Sequence, residues 1–160
     1  MSKQTAAISI LLTDSYGKVG FDLTKLKRMI KALCERTGIE RAIISIGIVN
    51  DADIKKVNRK FLKSSKNTDV ISFDLSDAKE DDRKVFDMVV NGQRATREAY
   101  ARGHSQEAEL TLYVVHGFLH NVGYDDLKPL AAKRMHKAED EILQEFGYGR
   151  TYDSQRKHRT

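Results

Sequence analysis

The sequence predicts an α/β (α+β) fold, a single compact domain in which a small four-stranded mixed sheet carries packed helices. Three observations lead there. Apolar stretches of strand length alternate with segments of 3.6-residue period in the order βαβαββααα, which is the pattern of strands and helices sharing one core. A length of 160 residues with 40% apolar content suffices for one core without staples. The stretch from Leu110 to Leu119 is apolar around most of a helix circumference, as expected of a central buried helix.

The elements follow in order. Ala6–Thr13 is β-rich and reads as a first strand. Asp22 is an N-cap for a helix whose apolar residues recur at helical spacing and which ends before Gly38. Arg41–Val49 is a second strand, and a short helix starts at Asp51 or Asp53 and runs through Leu62. The polar residues 64–68 form a loop. Asp69–Leu75 and Lys84–Asn91 are the third and fourth strands, joined by the polar, acidic Ser76–Arg83. Arg94–Arg102 and Glu107–Val122 are helices, and Leu130–Phe146 is a last amphipathic helix with Pro129 in its first turn. The domain spans residues 1–148, and residues 149–160 are predicted to be a basic, disordered tail.

Composition narrows the function. No apolar run is long enough to cross a bilayer, and the first residues lack the h-region of a signal peptide, so no membrane role is expected. Cys34 is the sole cysteine, hence no disulfide partner and a cytoplasmic setting, with Cys34 a small buried hydrophobe. A net charge of +5 favours polyanionic partners, RNA above all. Basic residues gather in 25–36, 55–66 and 150–159, although such runs are as often plain solvated faces.

The most informative segment is Val115-His-Gly-Phe-Leu-His-Asn-Val-Gly-Tyr-Asp-Asp126. His116 and His120 lie one helical turn apart, so both imidazoles can aim at one point. Gly123 stops the helix by allowing a left-handed turn, which brings the carboxylates of Asp125 and Asp126 back towards that point. Two His and a carboxylate around an open position suit a catalytic metal. An i, i+4 His pair is by itself often accidental. Here both lie on a buried helix, where His must find partners, and they are drawn from only five His in the chain. Gly117 follows His116 where the metalloprotease signature would have its Glu.

These residues resemble the YbeY family of metal-dependent endoribonucleases. The family hallmark, His-Gly-x-Leu-His-Leu-x-Gly-Tyr-Asp-His, stands here as residues 116–126, and the stretch Thr-(Asp/Asn)-Val-Leu-Ser-Phe stands as residues 68–73. Asn58, Asp87, Ala132, Met135, Glu139 and Ile142 sit at family spacings, with Phe86 in place of a Gly before Asp87. The resemblance runs from about the second strand to Gly147. It implies one zinc ion per chain, a single-stranded ribosomal RNA substrate, and work on the small ribosomal subunit during its maturation. It also implies metal ligands at His116, His120 and Asp126. The last is Asp where the family has His, and an anionic ligand makes Mn or Fe more competitive. His136, on the next helix, is a poor substitute ligand. A family Arg falls on Leu62, and Arg59 or Lys63 is then the candidate catalytic cation against the phosphate. Lys66, Thr68 and Ser72 are candidates for binding RNA, and Asp125 for orienting a ligand imidazole. Tyr100, Tyr113 and Tyr124 are possible base-stacking residues, with core packing the better role for Tyr113. The rival reading, prompted by Leu62 and Asp126, is an rRNA- or ribosome-binding maturation factor that kept the fold and lost the chemistry.

Overall fold

The structure is a computed structural model describing residues 7–18, 22–64, 66–77 and 82–148. The expected disordered tail, residues 149–160, lies outside them. In chain order the elements are β1 (Ile8–Asp14), α1 (Leu23–Arg36), β2 (Ala42–Val49), α2 (Asp51–Leu62), β3 (Val70–Asp74), β4 (Lys84–Asn91), α3 (Gly92–Arg102), α4 (Gln106–Asn121) and α5 (Pro129–Glu145). The sheet is ordered β1-β2-β4-β3. β1 and β4 run parallel to β2, while β3 is antiparallel to β4 at the edge.

The alternation in β2 sends Ala42, Ile44, Ile46 and Ile48 into the helical layer, where they are fully buried. Phe86, Met88 and Val90 of β4 join them in one cluster with Met29, Ile30 and Leu33 of α1 and with α4 and α5. Helix α4 runs through its middle. Every α4 residue from Ala108 to Leu119 is buried except His116, which is half-buried. On the opposite face of the sheet α2 packs against β4, while Leu11 of β1 is left 60% exposed. Ile54 and Ile71 are buried outside the main cluster, and the Phe61 and Phe73 rings make a T-shaped contact at 5.7 Å.

Helix starts follow their capping chemistry. Asp22, Asn50, Asn91 and Ser105 each accept a backbone N–H three residues on. Asn91 explains why α3 begins two residues before the expected Arg94. It ends β4 and caps α3 at once, and a sequence pattern for one role hides the other. α5 begins at Pro129, a position whose missing N–H costs a helix nothing.

One glycine sets the approach of α4 to the sheet and another the turn that follows it. A Cβ on Gly117 would lie 3.0 Å from Val70 Cγ2, 3.1 Å from Met88 Sδ and 3.4 Å from Ser72 Cβ. Gly123 takes φ +101°, the left-handed turn that reverses the chain after α4. Gly117→Ala is therefore expected to destabilise. Better helix propensity contributes about 1 kcal/mol, whereas overpacking against a stiff β-branched Val70 costs about 1–3 kcal/mol. A lowered urea midpoint checks it; a raised one would mean that Met88 alone absorbs the methyl.

Candidate metal centre

His116 and His120 project from the last two turns of α4, and Asp126 returns from the turn after Gly123. Their ligand atoms form a small triangle. His116 Nε2 and His120 Nε2 are 3.1 Å apart, and Asp126 Oδ2 is 3.7 and 3.8 Å from them. A point equidistant from these three atoms lies about 2.1 Å from each, the length of a zinc–nitrogen or zinc–oxygen bond. Among the described residues this is the one His/Cys/Asp/Glu group with such spacing. The donor set thus fits a divalent cation.

The electrostatics agree with that fit. Glu139 on α5, 2% exposed, places Oε1 2.8 Å from His116 Nδ1. A proton held there leaves the Nε2 lone pair facing the other two donors. Burial disfavours the charged His116 ring, but the Glu139 hydrogen bond and the charges of Glu139, Asp69 and Asp126 outweigh it and raise its pKa. Burial likewise raises the Glu139 carboxyl, and His116 and His136 together more than reverse this, so Glu139 is held below the ordinary carboxylate range. The centre is anionic around two imidazoles, an environment that draws cations.

The cleft above it, of about 490 Å³, is lined by Thr68, Asp69, Val70, Ser72, His116, Gly117, His120 and Asp126. Of the residues the sequence singles out, Thr68 and Ser72 thus reach the cleft. The Ser72 hydroxyl donates to Gly117 O at 3.0 Å, tying β3 to α4. Arg59 and Lys66 are exposed and outside the cleft lining, as is Lys63, the left-handed C-cap of α2. Leu62 is 54% exposed. Asp125, a candidate for orienting a ligand imidazole, has its Oδ1 accepting from Leu127 N at 2.9 Å, which stabilises the turn, and at His116 the Nδ1 position is held by Glu139. His136 lies beside Glu139, with Nδ1 3.6 Å from Oε2, and is outside the ligand triangle. Tyr113 is buried, Tyr124 packs against the core, and Tyr100 is 93% exposed on α3.

Two residues acquire roles that the sequence reading left unassigned. Asp69 lines the cleft, with Oδ1 accepting from Val70 N at 2.8 Å. Glu139 falls on the apolar face of α5, four residues after Met135 and three before Ile142, all buried. A charged residue on such a face was the available signal, because a buried carboxylate requires a partner.

Comparison with known proteins bears on the same residues. A model of the Endoribonuclease YbeY family matches residues 12–147. The chain is 32% identical to endoribonuclease YbeY of Oceanobacillus iheyensis over 148 residues, covering 86% of this chain and 95% of that protein. It is 34% identical to endoribonuclease YbeY of Lysinibacillus sphaericus over 154 residues, 89% of this chain and 98% of that one. The fold is also that of a Thermotoga maritima protein solved in solution, with a TM-score of 0.56, 23% identity, and coverage of 92% and 95% of the two chains. No helix among the described residues is long and apolar enough to cross a membrane. A family match over most of the chain, with the His pair inside it, leads to one conclusion: this chain belongs to the Endoribonuclease YbeY family.

Proposed function

We propose that this protein is a metal-dependent endoribonuclease that cuts single-stranded ribosomal RNA during maturation of the small ribosomal subunit in the cytoplasm. The observation that carries the reading is the meeting of two Nε2 atoms and one carboxylate oxygen around a single point on the cleft floor. His116, His120 and Asp126 would hold the ion, zinc by the two imidazoles, with Mn or Fe made competitive by the carboxylate. When bound, such an ion supplies Lewis-acid polarisation of a phosphodiester oxygen or of water.

The chain's own residues do the rest. Glu139 keeps the His116 proton on Nδ1 and fixes the ring. Ser72 holds α4 against β3, so both imidazoles stay at the cleft floor. Thr68 offers its hydroxyl to the substrate backbone, and Asp69 and Asp126 repel phosphate from every part of the cleft that a cation does not neutralise. Arg59, Lys63 and Lys66, exposed on and after α2, engage phosphates outside the cleft. Glu139→Leu is expected to lower metal affinity about 10–100-fold by freeing the His116 ring. Competition with a chromogenic chelator measures it; unchanged affinity would remove Glu139 from this account.

One observation favours a second reading, a maturation factor that binds RNA without cutting it: among the described residues no Lys or Arg lines the cleft. Elemental analysis of the purified chain with Asp126→Ala and Asp126→His variants, run beside a single-stranded RNA cleavage assay, separates the two. The enzyme reading expects near-stoichiometric metal that falls in the Ala variant and persists in the His variant, with cleavage abolished by chelator. Absence of metal and cleavage, with salt-dependent RNA binding retained, would transfer the case to the binding factor.

A further inference from the structure

Resting on the RNA reading above, we propose that Phe61, with Phe73 behind it, is a stacking platform for an unpaired RNA base just outside the cleft. Phe61 stands in the last turn of α2 and is 59% exposed, although α2 buries its other apolar anchor, Ile54, completely. Its ring and that of Phe73 meet in a T-shaped contact at 5.7 Å and 68°, which holds Phe61 in place while more than half of its surface stays open to solvent. Leu75, two residues after Phe73 and just past β3, is also exposed, at 58%.

The surroundings decide what this patch accepts. Lys60 Nζ sits over the Phe61 ring, 5.3 Å from its centroid, and Arg59, Lys63 and Lys66, on and just after α2, are exposed. A docking surface for an apolar protein segment has little use for an ammonium group over its exposed ring. An exposed aromatic ring among cations matches the two halves of a nucleotide, a π-face and a phosphate. The platform is also fixed to the cleft. Asn58 Nδ2 donates to Lys66 O at 2.9 Å, joining α2 to the segment that leads into Thr68 and Asp69. Phe73 directly follows Ser72, whose side chain lines the cleft on the other face of the same strand. β3 is the sheet edge, so a strand of RNA leaving the cleft over this edge arrives at Phe61. Duplex RNA, with its bases stacked inside, has no base to offer here.

The chain contains no Trp, so Phe61→Trp makes a single-tryptophan reporter of the full protein. Its fluorescence is expected to be quenched by a single-stranded oligoribonucleotide. Saturating inorganic polyphosphate or duplex RNA of the same sequence should leave it unchanged. In parallel, Phe61→Ala is expected to weaken single-stranded RNA binding about fivefold or more. Duplex affinity, the salt slope and metal content should stay as they are, because Phe61 touches neither phosphate nor the ligand triangle. Unquenched Trp at saturating single-stranded RNA, or single-stranded affinity in the Ala variant within twofold of the parent, would overturn the platform and leave the patch as a protein-docking surface. An equal loss on duplex RNA would overturn it too. If the unaltered chain binds no RNA at all, the RNA reading itself falls and takes this inference with it.

Discussion

His120→Ala is expected to empty the metal centre and to lower RNA cleavage by on the order of a thousandfold or more, since Lewis-acid stabilisation contributes several kcal/mol. His120 is the cleanest ligand to remove. Its side chain is 36% exposed, and its close contacts are His116, ring to ring at 4.6 Å, and Asp126. Truncation therefore leaves no buried group orphaned, and folding stability should change by no more than about 0.5 kcal/mol. The contrast is His116→Ala, which removes the Nδ1 partner 2.8 Å from the buried Glu139 carboxylate and lowers metal content and stability together. Elemental analysis, single-turnover cleavage and a urea midpoint on both variants test the pair. A fully loaded His120→Ala protein would show that this imidazole is no ligand and would remove the three-donor site.

Asn91→Ala is expected to cost about 3–5 kcal/mol, summing lost hydrogen bonds at a fully buried site, and to lower Tm by roughly 10 °C for a chain of this size. Asn91 is 0% exposed. Its Nδ2 is shared among Asp51 Oδ1 at 2.8 Å, Asn67 Oδ1 at 3.0 Å and Thr68 O at 3.1 Å, and its Oδ1 caps α3 at Arg94 N. One side chain thus binds α2, α3 and the segment that places Thr68 and Asp69 beside His116. Metal affinity should fall with stability, which a surface substitution would not cause. A Tm within 2–3 °C of the parent would mean that water replaces the amide.

The same network has a pH signature. Burial raises the Asp51 carboxyl, but hydrogen bonds from Arg97, Asn91 and Asn67 and the Arg97 charge win and hold it at about 2. A depressed folded pKa contributes stability that is present above the unfolded value near 3.9 and is lost as pH falls through the folded one. In Asn91→Ala the Asp51 value moves back up, so the stability gap between parent and variant should narrow as pH falls below about 4. Urea midpoints across pH 2–6 measure it; a gap that widens on acidification would contradict the sign.

Much of this was legible in the chain because the signals are local. The alternation of Ala42–Val49 and the capping residue Asp22 announce their elements within a few positions. The i, i+4 spacing of His116 and His120 put both imidazoles on one face before any fold was known. Other features were beyond local pattern. Asn91 reads as the end of a strand, and nothing near it in sequence announces Asp51, forty residues upstream, or Asn67. Asp125 and Asp126 are adjacent carboxylates in one turn, and only the path of the chain after Gly123 turns Asp126 to the imidazoles and Asp125 to Leu127 N. Likewise Glu139 is one acidic residue among many until α5 packs beside α4 and buries it against His116.

By itself, then, the sequence determined the order of elements, the buried central helix and the His pair, because periodicity, capping and helical spacing act over a handful of residues. The tertiary structure alone decided which carboxylates face that pair, since the partner of a buried charge comes from whichever element packing brings within 3 Å, and twenty-three residues separate His116 from Glu139.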